Sequence, residues 1–133
     1  MFYDFSFTIP ANTPAGSPAE MSCKLTYGII HRVEIVFPAG CAGLVHLQIR
    51  EGLHQYWPTN SDGDFASNDE RIEFSEYQEF YRSPFELVLV GWSPDTTYNH
   101  TLEVRFGILP DWILQPEAGL AGVLKKLTRR FRL

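Results

Sequence analysis

Cysteine is scarce in this chain. Its 133 residues hold two, Cys23 and Cys41, too few for a disulfide scaffold and, without further ligands, for a zinc site. A Cys23–Cys41 disulfide and two free thiols both satisfy the spacing. Long apolar runs are absent as well. No stretch approaches the roughly 20 residues that cross a bilayer. The first ten residues alternate in polarity and carry no basic residue, so they read as a strand and not as a signal peptide. Charged residues are 20% and hydrophobic ones 44%, which excludes a coiled coil, collagen and long disorder. The length favours one domain.

Catalytic and metal motifs are missing too. No GxSxG, HxH or HExxH spacing occurs, and His31, His46, His54 and His100 fall on separate strands. His46 and His54 flank one hairpin and are expected to lie near each other. Cys41 sits in a glycine-rich turn but has no base assigned to it by spacing. Asn60, Asp62 and Asp64 place oxygen atoms at alternate positions, as calcium requires. The sixth and twelfth positions of the EF-hand pattern then fall on Phe65 and Arg71, so the segment reads as a polar turn. Acidic residues are scattered along outward strand positions, which suits a solvated face better than a glycosidase pair. The expectation is a protein that is not an enzyme and needs no cofactor or metal.

What is present is period-two alternation. Tyr3, Phe5, Phe7 and Ile9 alternate with polar residues, and a loop follows from Pro10 to Pro18. Cys23, Leu25 and Tyr27 begin a second strand pattern. Ile29–Phe37 places His31, Val33, Ile35 and Phe37 on one face. Leu44–Arg50 points Val45, Leu47 and Ile49 inward, and Glu51-Gly52 reads as a hairpin turn. Leu53–Trp57 returns, Thr59–Glu70 is polar, and Arg71–Ser75 turns Ile72 and Phe74 inward. Phe85–Trp92 is apolar on both faces in part, as a central strand would be. His100–Phe106 alternates again. No helical pattern of about 12 residues intervenes before residue 112, a short turn at Ser75 to Arg82 aside. About eight short strands between turn signals predict an all-β fold, an antiparallel β-sandwich of jelly-roll type, over residues 1–110.

Residues 111–133 differ. Leu120, Val123, Leu124, Leu127 and Phe131 recur every three or four positions, with Lys125, Lys126, Arg129, Arg130 and Arg132 on the other side and at the end. Pro116 and Glu117 suit a helix start, so an amphipathic helix is expected from residue 116. The charge is divided. Residues 1–117 hold all sixteen acids and six bases, a net of −10, whereas residues 118–133 hold five bases and no acid. A short helix of this kind is marginal alone. Docking on an acidic protein surface, an identical neighbour included, fits it better than nucleic acid or a membrane, because the acidic body opposes a polyanion. These ten residues are the expected partner contact. Aromatics at strand ends offer an alternative, a carbohydrate- or ligand-binding platform of Tyr56, Trp57 and Trp92.

The stretch from Leu25 to Leu109 resembles the small β-sandwich structural proteins of tailed bacteriophages. The shared elements are a strand ending in Phe37-Pro38-Ala39-Gly40, the turn from Gln55 through Pro58 to Asn60, and a late strand beginning His100-Thr101 and reaching Val104. The tail lies outside this pattern, and no functional residue carries over. The resemblance implies a virion component made in the host cytoplasm, a capsid decoration protein or a head–tail subunit. Its implied partners are other virion proteins, and it is expected to be a homo-oligomer in the particle.

Overall fold

The computed structural model describes residues 1–114. These residues form eight strands and one helical turn: β1 (Phe2–Ile9), β2 (Ala19–Lys24), β3 (Gly28–Phe37), β4 (His46–Glu51), β5 (His54–Trp57), β6 (Glu70–Phe80), β7 (Glu86–Trp92), β8 (His100–Leu109) and α1 (Asp111–Leu114). The strands make two four-stranded sheets. The first has the order β1-β8-β3-β6 and the second β2-β7-β4-β5. Every pairing is antiparallel. The expected helix from residue 116 lies outside the described residues.

Alternation in the sequence becomes a two-sided core. Phe7 and Ile9 of β1, Val33, Ile35 and Phe37 of β3, and Leu102, Val104 and Phe106 of β8 line the first sheet's inner face. Leu47 and Ile49 of β4 with Leu87 and Leu89 of β7 line the second's, and all of these are buried in one cluster. The ring of Trp57 on β5 reaches across to Phe74 at 6.0 Å and to Phe106 at 6.4 Å. Its indole N–H donates to Glu76 on β6 at 2.9 Å, so the polar end of a buried ring is satisfied where the sheet edges meet. Hydrophobic burial of this kind is the main favourable term of the fold.

The outer face of the first sheet is an ionic ladder. Arg105 joins Asp4 at 3.4 Å and Glu34 at 3.7 Å. Arg32 joins Glu34 at 3.2 Å and Glu73 at 2.6 Å, and Arg71 reaches Glu73 at 3.4 Å. Opposite charges thus face each other from β1 to β8 to β3, whereas Glu34 stands opposite Glu73 of β6, a like-charge pair that Arg32 bridges by binding both carboxylates.

Three local readings are corrected. The turn expected at Ser75–Arg82 is strand as far as Phe80. His31 does not share the inward face of Val33, because the register shifts between Ile30 and Arg32 and His31 is the extra residue against β8. The second strand is Ala19–Lys24, and Tyr27 lies outside it and exposed. The hairpin turn does form after Glu51, with Gly52 at a φ of 58°, where glycine carries no Cβ penalty.

Candidate functional site

β5 has four residues and β6 has eleven. The short edge strand of one sheet therefore leaves part of the long edge strand of the other uncovered, and a cleft opens between them. Its volume is about 450 Å³, and it is lined by Glu51 and the β5 residues His54 and Tyr56 on one side, and by Gln78, Glu79, Tyr81 and Arg82 on the other. A second depression of about 360 Å³ continues it past Gly52 and along Ser83–Glu86, sharing Glu51 and Arg82. Together they form a trough along the hairpin tip. Leu53, at that tip, is 98% exposed.

The cleft is aromatic and net acidic. The His54 and Tyr56 rings meet edge to face, with centroids 5.3 Å and planes 79° apart. The Tyr56 hydroxyl lies close to the Glu51 carboxylate. Burial first, then that carboxylate, push the Tyr56 phenol up to about 12, while Arg82 pulls the other way. The phenol therefore stays a neutral donor at physiological pH. Glu51 and Glu79 outnumber Arg82 in charge. Ring faces beside carboxylates suit a cationic side chain, through cation–π attraction and charge-assisted hydrogen bonds.

The three aromatics expected as one ligand platform are not brought together. Trp57 is 3% exposed and belongs to the core. Trp92 lies on the outer face of the second sheet, stacked on His46 at 5.5 Å with the rings 10° apart. Only Tyr56 lines the cleft. The expected partner-contact residues, Leu120, Val123, Leu124, Lys125, Lys126, Leu127, Arg129, Arg130, Phe131 and Arg132, lie outside the described residues.

His46 and His54 are not neighbours. His46 pairs with Trp92 and His54 with Glu51, five strand positions apart, or roughly 17 Å. His46 Nδ1 instead meets Asp64 Oδ1 at 2.8 Å, which ties the 58–69 loop to β4. Three backbone carbonyls of that loop are engaged by side-chain amides. Gln48 Nε2 donates to the Gly63 carbonyl at 2.7 Å, and Gln55 Nε2 donates to the carbonyls of Pro58 and Asn60. Among the described residues no three His, Cys, Asp or Glu side chains converge on one point.

Cys23 and Cys41 are free thiols, both buried. Burial pushes the Cys23 thiol up to about 12 and raises Cys41 as well, which disfavours the thiolate a nucleophile needs.

The sequence pattern reads residues 75–82 as a short turn and so does not single out Gln78, Glu79, Tyr81 and Arg82. The signal lay in Ile72, Phe74, Glu76, Gln78 and Phe80. This is one alternating series whose apolar positions are interrupted by two polar residues that line the gap between the sheets.

No protein-family model matches this chain, and no curated protein matches it.

Proposed function

We propose that the chain is a structural and assembly component of a virus particle, a bacteriophage capsid decoration or head–tail subunit. In this reading it docks on neighbouring subunits through the β-sandwich body and the basic C-terminal segment. The observation that carries the proposal is the division of charge. A body of net −10 precedes a terminal stretch of five bases and no acid. The trough beside β5, with Glu51, Glu79 and Glu86 against Arg82 and with Tyr56 in its wall, is the kind of surface a lysine or arginine of a neighbouring subunit would enter. The strand order supports the particle context. Interleaved β1-β8-β3-β6 and β2-β7-β4-β5 sheets have the two-Greek-key order of a jelly roll, an architecture common in viral capsid domains and in lectins. The same resemblance that covers Leu25 to Leu109 points there. Many weak contacts on a lattice give avidity that one contact lacks.

The test is incorporation. Particles from infected cells should carry the protein and release it on raising the salt. A variant with Lys125, Lys126, Arg129, Arg130 and Arg132 all changed to Gln should fold but fail to join them. Equal incorporation of that variant would remove the basic segment from the proposal, and particles without the protein would remove the proposal itself. The trough also favours a second reading, a saccharide site, because Tyr56 stands beside the hydrogen-bonding groups of Gln78, Glu79 and Arg82. Glycan binding that Tyr56→Ala abolishes would support that reading instead.

A further inference from the structure

A strand at the rim of a sheet offers a row of unpaired N–H and C=O groups. Folded proteins blunt such rims by shortness, charge, proline or bulges. Three of the four rims here are blunted. β6 is irregular opposite His31 and carries Glu70, Arg71, Glu73, Glu76 and Glu79. β5 is four residues long and runs into Pro58. β2 follows Pro18 and carries Glu20 and Lys24. Among the described residues the fourth, β1, is eight residues long and open along its length, with Pro10 only after its last residue. Its register with β8 is unbroken from Phe2 to Ile9, and it has no proline, no basic residue and a single acid, Asp4.

The direction of its backbone groups follows from the register. Met1 N donates to the Ile108 carbonyl at 2.6 Å and Ile108 N to the Met1 carbonyl at 2.7 Å. Bonded pairs alternate along an antiparallel ladder. Tyr3, Phe5, Phe7 and Ile9 therefore turn their backbone groups to β8. Phe2, Asp4, Ser6 and Thr8 turn theirs outward. The inward side chains show the open rim too, since Phe7 and Ile9 are buried but Tyr3 and Phe5 are only half-buried.

We infer that β1 is a self-pairing edge. Two copies of the chain join β1 to β1 antiparallel about a twofold axis, and their first sheets become one eight-stranded sheet. Charge selects the register. Only the outward residues can exchange bonds. Placing Asp4 opposite Asp4 of the second copy would oppose like charges. The neighbouring register, two positions on, sets Asp4 opposite Ser6 and Phe2 opposite Thr8, with Phe5 on the axis facing its own copy. It engages every outward residue of both strands, roughly eight hydrogen bonds. It also lays Tyr3, Phe5 and Phe7 against Phe7, Phe5 and Tyr3 of the second copy, which covers the two half-exposed rings. This pairing goes beyond the assembly reading and uses neither the basic segment nor the trough, so either can fail without the other.

The test uses the full chain. Sedimentation over a range of concentrations should show a monomer–dimer equilibrium. The amides of Phe2, Asp4, Ser6 and Thr8 should slow in hydrogen exchange by at least about tenfold as the dimer fills. Ser6→Pro removes one outward N–H and leaves the bonds to β8 in place, so it should be monomeric and folded by circular dichroism. Should that variant not fold, Phe5→Cys decides. Residues on the axis lie about 4.5 Å apart at Cα, within disulfide reach, so mild oxidation should give a covalent dimer, and the native thiols are buried. A full chain that stays monomeric at every concentration overturns the proposal, whether or not its own C-terminal segment protects those amides. A dimer whose four amides exchange freely, or whose Phe5→Cys form does not cross-link, overturns it as well.

Discussion

His31 shows how one inserted residue changes the chemistry of a strand. Regular alternation would have put its ring among Val33, Ile35 and Phe37. The irregularity at Ile30/Arg32 instead lays it against Gly107 of β8. Burial there, then the N-terminal ammonium, then Arg32 all disfavour the imidazolium, so its pKa in the folded chain lies below the ordinary 6.5. The unfolded chain therefore takes up this proton at a higher pH than the folded one does. The stability tied to His31 is complete above the unfolded value and is lost as the pH falls through 6.5 toward the folded value. Thermal melting of the wild type from pH 8 to pH 5 should show a loss of stability in that window. His31→Gln, which has no proton to gain, should lose less; a variant as pH-sensitive as the wild type would place the titration elsewhere.

At the scale of elements, the sheets are held at their separation by one missing side chain. A Cβ built on Gly91 of β7 would come within 2.9 Å of both Ile9 and Phe7 on β1. Ile9 is 0% and Phe7 3% exposed, so neither can swing into solvent. Gly91→Ala should cost about 1–3 kcal/mol through overpacking. Gly16→Ala, where nothing lies within 4 Å, should stay within about 0.5 kcal/mol; equal urea midpoints for the two would refute the argument. The strand content was legible because inward positions such as Leu102, Val104 and Phe106 are apolar at every second residue. The second half of β6 was not, because Glu76 and Gln78 occupy its inward positions. Glu76 is there to accept the Trp57 N–H, a long-range partner that no local pattern displays. The cleft was illegible for the same reason. It depends on β5 and β6 standing side by side, and that adjacency comes from the interleaved strand order, which alternation does not encode.

For the whole molecule, the question is what the terminal segment contributes to the fold. Among the described residues the strands of both sheets run from Phe2 to Leu109, and every buried member of the core cluster falls between Phe7 and Ile108. A chain ending at Leu114 should therefore melt in one cooperative transition close to that of the full chain, within about 3 °C at moderate salt; a loss of ~1 kcal/mol would already shift the midpoint by more. Removing residues 115–133 takes away five bases and one acid, which moves the net charge from −5 to −9. Self-repulsion grows with that charge and is screened by salt within about 10 Å at 0.1 M. The shortened chain should thus gain more in melting temperature than the full chain as salt is raised. The external ladder of Asp4, Glu34 and Glu73 with three arginines weakens slightly in both and does not change the comparison. Calorimetry of the two chains across a salt series measures this directly. A midpoint for the shortened chain that drops by ten degrees or so at every salt concentration would mean that the terminal segment packs into the body as part of its core.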